Sequence, residues 1–77
     1  MIRTLTGTVT HTNDTSVVID VRGVGYLVGT PNKSGELQID DNVTLQTHLA
    51  VRETALDLYG FGSHLELEMF EMLLHIP

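Results

Sequence analysis

Two short signatures, thirty residues apart, restrict this chain more than anything else in it. Val21-Arg22-Gly23-Val24-Gly25-Tyr26-Leu27-Val28 brackets one valine with two glycines, and Val51-Arg52-Glu53-Thr54-Ala55-Leu56-Asp57-Leu58-Tyr59-Gly60-Phe61 sets a polar triplet between two strand-like runs. Glycine accepts positive φ and lets backbones approach closely, so the first signature predicts a turn or bulge feeding a strand. The second predicts a hairpin with the charged tip Arg52-Glu53. A chain with both motifs is committed to antiparallel β-structure before any other residue is considered.

The remaining segments agree. Ile2 to Thr10 is rich in Thr, Ile and Val and runs into a polar turn, His11-Thr12-Asn13-Asp14. Val17, Ile19 and Val21 alternate with Ser16, Val18 and Asp20, the period of a half-buried strand. Tyr26 to Thr30 forms the next strand, and Pro31, which lacks a ladder donor, ends it. Residues 31–42 make one long connection that Leu37 and Ile39 are expected to tack onto the core. Val43, Leu45, Thr47, Leu49 and Val51 then share one strand face, and Ala55 to Tyr59 returns antiparallel. The pattern predicts a mainly β fold, a small five-stranded barrel of the OB type, followed by one C-terminal α-helix.

The helix should begin at Ser63, because Ser63 with Glu66 three residues on is a capping-box pattern. At about 100° per residue, Glu68, Glu71 and His75 share one narrow arc, while the apolar residues from Leu65 to Ile76 spread over roughly 220°. A helix lying on one barrel needs about half of that arc. The surplus is expected to be covered by another domain, another subunit or more of a longer chain. Ile76-Pro77 has no glycine cap or polar tail and reads as a cut. The expected division is a barrel over 1–62 and, over 63–77, a helix leading into a further domain.

Composition narrows the function. Seventy-seven residues make one domain with a single core and no room for a deep substrate pocket. No cysteine is present, which excludes disulfides and thiolate metal sites and points to a cytoplasmic location. No apolar run reaches the length needed to span a bilayer, and Met1-Ile2-Arg3-Thr4-Leu5-Thr6 lacks the layout of a secretory signal. Four Lys and Arg against ten Asp and Glu give a net charge of −6, the opposite of a chain that binds nucleic acid by neutralising phosphates. His11, His48, His64 and His75 show no metal-ligand spacing, so neither a metal nor a cofactor is expected. Gly23 and Gly25 lack the third glycine and following helix of a dinucleotide fingerprint. Asp40-Asp41 fits turn chemistry better than catalysis, and Tyr26 and Tyr59 fit core packing better than base stacking. Glu53, by its position alone, is a charge that keeps a hairpin tip solvated.

The order Val21-x-Gly23-Val24-Gly25-Tyr26-x-Val28, then Val51-Arg52-Glu53-x-Ala55-x-x-Leu58-Tyr59-Gly60-Phe61, then a helix ending Leu73-Leu74-x-Ile76, resembles the RuvA family of bacterial Holliday-junction proteins. The likeness covers essentially the whole chain and about the N-terminal third of the family's usual length. It implies an OB-like N-terminal domain that assembles as a homotetramer on an open four-way DNA junction, in recombination and repair. It further implies a central acidic pin at Arg52, Glu53 and Thr54, and a structural turn signature at Gly23, Gly25, Tyr26, Tyr59 and Gly60. Glu53 matches the first acid of the pin. Thr54 departs from the usual second acid, Arg22 from a common glycine, and Arg3-Thr4 from the usual start. Asp57 is a candidate to restore part of the lost pin charge.

By the same resemblance, DNA affinity belongs mainly to helix-hairpin-helix motifs in a following domain. Contact with a RuvB-type hexameric ATPase motor belongs to a C-terminal domain, so this chain is a non-catalytic subunit of the branch-migration helicase complex. The competing expectation is a protein-assembly module with no direct DNA contact. A small enzyme is a poor fit, since paired catalytic groups are lacking.

Overall fold

The computed structural model describes residues 2–52 and 55–74, without the side chains of Arg52 and Ala55. Five strands, β1 (Thr4–Thr12), β2 (Ser16–Val21), β3 (Val24–Gly29), β4 (Asn42–Arg52) and β5 (Ala55–Phe61), precede one helix, α1 (His64–Leu73). The strands close into a barrel in the order β1-β2-β3-β5-β4. All neighbours are antiparallel except β3 and β5, which meet in parallel at Gly29↔Tyr59. The mainly β barrel with one C-terminal helix is therefore the architecture that the sequence predicts.

β1 serves two neighbours in succession. Thr4 to Thr8 pairs with β4, Thr8 to Thr12 pairs with β2, and a register shift between Val9 and His11 bends the strand from one to the other. That bulge also carries β1 two residues beyond the expected end at Thr10, so the turn falls later than the sequence suggested. The Asn13 side chain organises the turn by accepting from the Thr15 and Ser16 backbone N–H groups at 2.9 and 2.8 Å.

The first signature forms a two-residue hairpin turn. Val21 pairs directly with Val24, and Arg22 and Gly23 both take positive φ, 51° and 91°. The Asp20 carboxylate accepts from the Gly23 N–H at 3.0 Å. β3 thus begins at Val24, and Gly25 lies within the strand opposite Asp20 rather than in the turn. Gly60 has a different purpose. A Cβ there would stand 2.6 Å from Val28 Cγ1 and 3.0 Å from Leu45 Cδ1, so only glycine lets β5 cross this close to the core.

Leu5, Val9, Val17, Ile19, Val28 and Leu45 fill the barrel, with Tyr26, Leu37, Val43 and Leu58 packed partly against them. Burying such side chains stabilises by about 1.5–3 kcal/mol each. Thr47 is also fully buried, and its hydroxyl donates to the Ile2 carbonyl at 2.9 Å. In the long connection Leu37 reaches the core as expected, but Ile39 is exposed. The buried Asn32 governs that loop instead. Its side chain donates to the Leu37 carbonyl and accepts from the Leu37 N–H, both at 2.9 Å.

Candidate functional site

The β4–β5 hairpin runs through seven consecutive pairs, from Gln46↔Phe61 to Arg52↔Ala55. β1 accompanies β4 only as far as Thr4↔Gln46, and β3 meets β5 only at Gly29↔Tyr59. The last four pairs, Leu49↔Leu58 to Arg52↔Ala55, therefore have no third strand among the described residues. They form a two-stranded arm about 10–13 Å long.

One face of β4 explains how the arm leaves the body. Leu45 and Thr47 are buried, Leu49 is half-buried and Val51 is 66% exposed, all on the same side of the strand. Its cross-strand partner Leu56 is 69% exposed. The apolar pattern expected for a core strand is intact, but its far end outruns the barrel. Leu27 of β3 and Leu56 line a hollow of about 220 Å³ beside the arm. Asp57 is half-buried and lies opposite Ala50 on the other face. Arg52 ends β4 and its side chain, with Glu53 and Thr54, lies outside the described residues.

The turn-signature residues take structural positions. Tyr26 packs against the core from β3. Tyr59 stacks on Phe70 of α1 at 5.4 Å between ring centroids, and Phe61 and His48 meet the same ring at 4.9 and 5.5 Å. Phe70 and the buried Leu67 seat the helix on the barrel. Ser63 caps it as predicted, its Oγ accepting from the Glu66 N–H at 3.2 Å.

Glu71 departs from expectation. It does not lie with Glu68 on an outward polar arc, because it follows Phe70 and sits four residues after Leu67, on the face that meets the barrel. Arg3 holds its carboxylate through two bonds of 2.7 and 3.3 Å, and His48 Nδ1 donates at 2.8 Å. These bonds, Arg3 first and His48 second, lower the Glu71 carboxyl to about 2, and the same contact raises Arg3 above its ordinary value. The clip ties α1 to β4 and to the residue just before β1. No spacing rule links positions 3, 48 and 71, so sequence reasoning had no signal for it.

The other polar candidates are structural. Asp41 accepts from the Gln38 N–H at 3.0 Å, which is turn chemistry, and His64 pairs with Glu68 at 3.0 Å on the helix surface. Among the described residues no three His, Asp or Glu side chains group as metal ligands, and no helix is long and apolar enough to cross a membrane. Leu65, Met69, Met72 and Leu73 of α1 are all exposed, as the width of the apolar arc required, with Met69 and Leu73 facing a groove beside the β3–β4 loop.

The closed five-stranded barrel, extended by one hairpin and covered on one side by a single helix, is a small fold of the OB type. Residues 1–60 match the family described as the RuvA N-terminal domain, and the chain belongs to that family. It is 46% identical over 77 residues to the Holliday junction branch migration complex subunit RuvA of Renibacterium salmoninarum, covering 99% of this chain and 36% of that protein. The proteins of the same name from Trichlorobacter lovleyi and Tropheryma whipplei are 40% and 42% identical, with 99% of this chain aligned to 38% and 39% of theirs. The chain thus spans under two-fifths of the length of these curated relatives.

Proposed function

We propose that this chain is the N-terminal, non-catalytic domain of a Holliday-junction recognition protein that supports branch migration in recombination and repair. It assembles as a homotetramer and presents four hairpin tips, Arg52-Glu53-Thr54, at the centre of an open four-way junction. The observation that carries this is the arm itself, a hairpin that runs four pairs past the last pairings of β4 with β1 and of β5 with β3, exposes Val51 and Leu56, and leads to the tip sequence.

A Glu53 carboxylate about 6 Å from a phosphate costs roughly 1–3 kcal/mol at interfacial dielectric, and a tetramer repeats it at one spot. The domain therefore shapes the junction and does not supply the affinity, which reconciles its role with a net charge of −6. Affinity is assigned to helix-hairpin-helix motifs of a following domain, onto which α1 leads and against which its outer apolar face packs. Engagement of a RuvB-type ATPase motor is assigned to a C-terminal domain, and the complex works in the cytoplasm.

Sedimentation of the chain, alone and with a synthetic four-way junction at low and moderate salt, tests the proposal. A tetramer whose junction binding is weak and falls steeply with salt supports it. A monomer that holds the junction tightly at moderate salt overturns it. Glu53→Gln should tighten junction binding by about tenfold, following the 1.4 kcal/mol per decade rule. Unchanged binding would remove the pin role from that residue. A protein-assembly module without DNA contact is the second reading, favoured by exposed Leu65, Met69, Met72 and Leu73. It predicts self-association that is insensitive to salt and no junction complex at all.

A further inference from the structure

Only three residues of α1 are withdrawn from solvent: Leu67 is buried, and Phe70 and Glu71 are half-buried. Phe70 and Glu71 both bear on one strand pair, His48↔Tyr59. The Phe70 ring meets His48 edge-on at 5.5 Å and Tyr59 at 5.4 Å, while Glu71 accepts from His48 Nδ1 at 2.8 Å. Arg3, which holds the same carboxylate, is itself fixed beside His48, because its carbonyl accepts from the Thr47 N–H at 2.9 Å.

That strand pair is the root of the arm. β3 meets β5 at Tyr59, and the four pairs beyond it have no third strand among the described residues. A hollow of about 220 Å³ bordered by Leu27 and Leu56 keeps β3 off the arm on that side. A lone two-stranded ribbon is weakly stable and twists more than a wider sheet, so its direction is decided where it leaves the body. A tilt of about 20° at the root would carry the end of a 10–13 Å arm through about 4 Å. We infer that α1 is the brace that sets the direction of the β4–β5 arm, with Phe70 and Glu71 as the positioning residues on its root pair. Where the tip acts at a junction, a consequence that rests on the function proposed above, its place is set by the helix that leads into the rest of the protein. The brace itself does not depend on that reading.

The test is solution NMR on the intact chain without DNA, so that failure of the brace and failure of the junction role are read apart. Residual dipolar couplings of the amides at 49–51 and 56–58 report the direction of the arm relative to the barrel, and order parameters report its motion. In the unaltered chain the arm should be as ordered as the barrel, with order parameters of about 0.85, and in Glu71→Ala these should fall below about 0.6. The couplings of barrel residues such as Ile19 and Val28 should keep their values. Phe70→Ala should have a larger effect on the arm, and Phe70→Tyr, which keeps the ring, should restore it. Glu68→Ala, on the exposed surface of the same helix, should leave the arm unchanged.

Glu71→Ala removes only a surface contact, so it keeps the test decisive if Phe70→Ala fails to fold. Arm couplings and order parameters in Glu71→Ala equal to those of the unaltered chain would overturn the inference. So would changes spread evenly over barrel and arm, which would assign Phe70 and Glu71 to general stability.

Discussion

Two hairpins dominate this molecule, and although each joins its strands across two residues, they end differently. In the β2–β3 hairpin, β1 pairs with β2 from Val17 to Asp20, so the strand is flanked nearly to the turn. Positive φ at Arg22 and Gly23 and the Asp20 side chain complete it against the body. In the β4–β5 hairpin the flanking pairings stop at Gln46 and Tyr59, and among the described residues no third strand pairs with the last four pairs. Ile19 of the first is fully buried; Val51 and Leu56 of the second are two-thirds exposed. The same local device is thus flanked on one side of the barrel and runs on beyond its neighbours on the other. What separates them is whether a third strand lies alongside, because a lone two-stranded ribbon cannot bury a face of its own.

That contrast can be broken by substitution. Ile19→Ala, within the flanked hairpin, should cost about 2–5 kcal/mol in urea unfolding, since the cavity has little room to collapse. Gly60→Ala should follow at about 1–3 kcal/mol, because the new methyl must displace Val28 and Leu45 where β5 crosses the core. Gly23→Ala should cost about 1 kcal/mol, a purely backbone effect, as its φ is 91° and no atom lies within 4 Å of the added carbon.

On the arm, Leu56→Ser should change stability by under about 0.5 kcal/mol. A loss as large as that of Ile19→Ala would mean that the arm belongs to the folded body after all. The smallest effect concerns the helix clip. The Glu71 carboxyl sits near 2 in the folded state against an ordinary 4.5, so its contribution is present above about pH 4.5 and fades as pH falls towards 2. Glu71→Gln should flatten that part of the stability profile, as followed by the near-UV signal of Tyr59, which stacks on Phe70.

Much of this was legible from the chain. The alternation of Val17, Ile19 and Val21 and the Ser63 cap each depend on neighbours within four positions, and each appears where expected, as does a turn after Val21, though it closes at Arg22-Gly23 and not across Gly23–Gly25. Strand limits were less legible. β1 overran its expected end because a bulge realigned it with β2, and Gly25 fell inside β3 because the turn needed only two residues. Ile39, apolar in sequence, stays outside because Asn32 closes the loop around Leu37 instead. The clip of Arg3, His48 and Glu71 was invisible, since its members are 23 to 68 positions apart.

The sequence by itself determined the elements, their order, the two turns and the excess of apolar surface on the helix. Those features follow from side-chain periodicity and backbone freedom, which act over a few residues. Only the tertiary structure decided where the barrel closes, how far β4 and β5 run on past it, and which face of α1 meets the body. Those outcomes depend on contacts between residues far apart in the chain, whose distances no local pattern records.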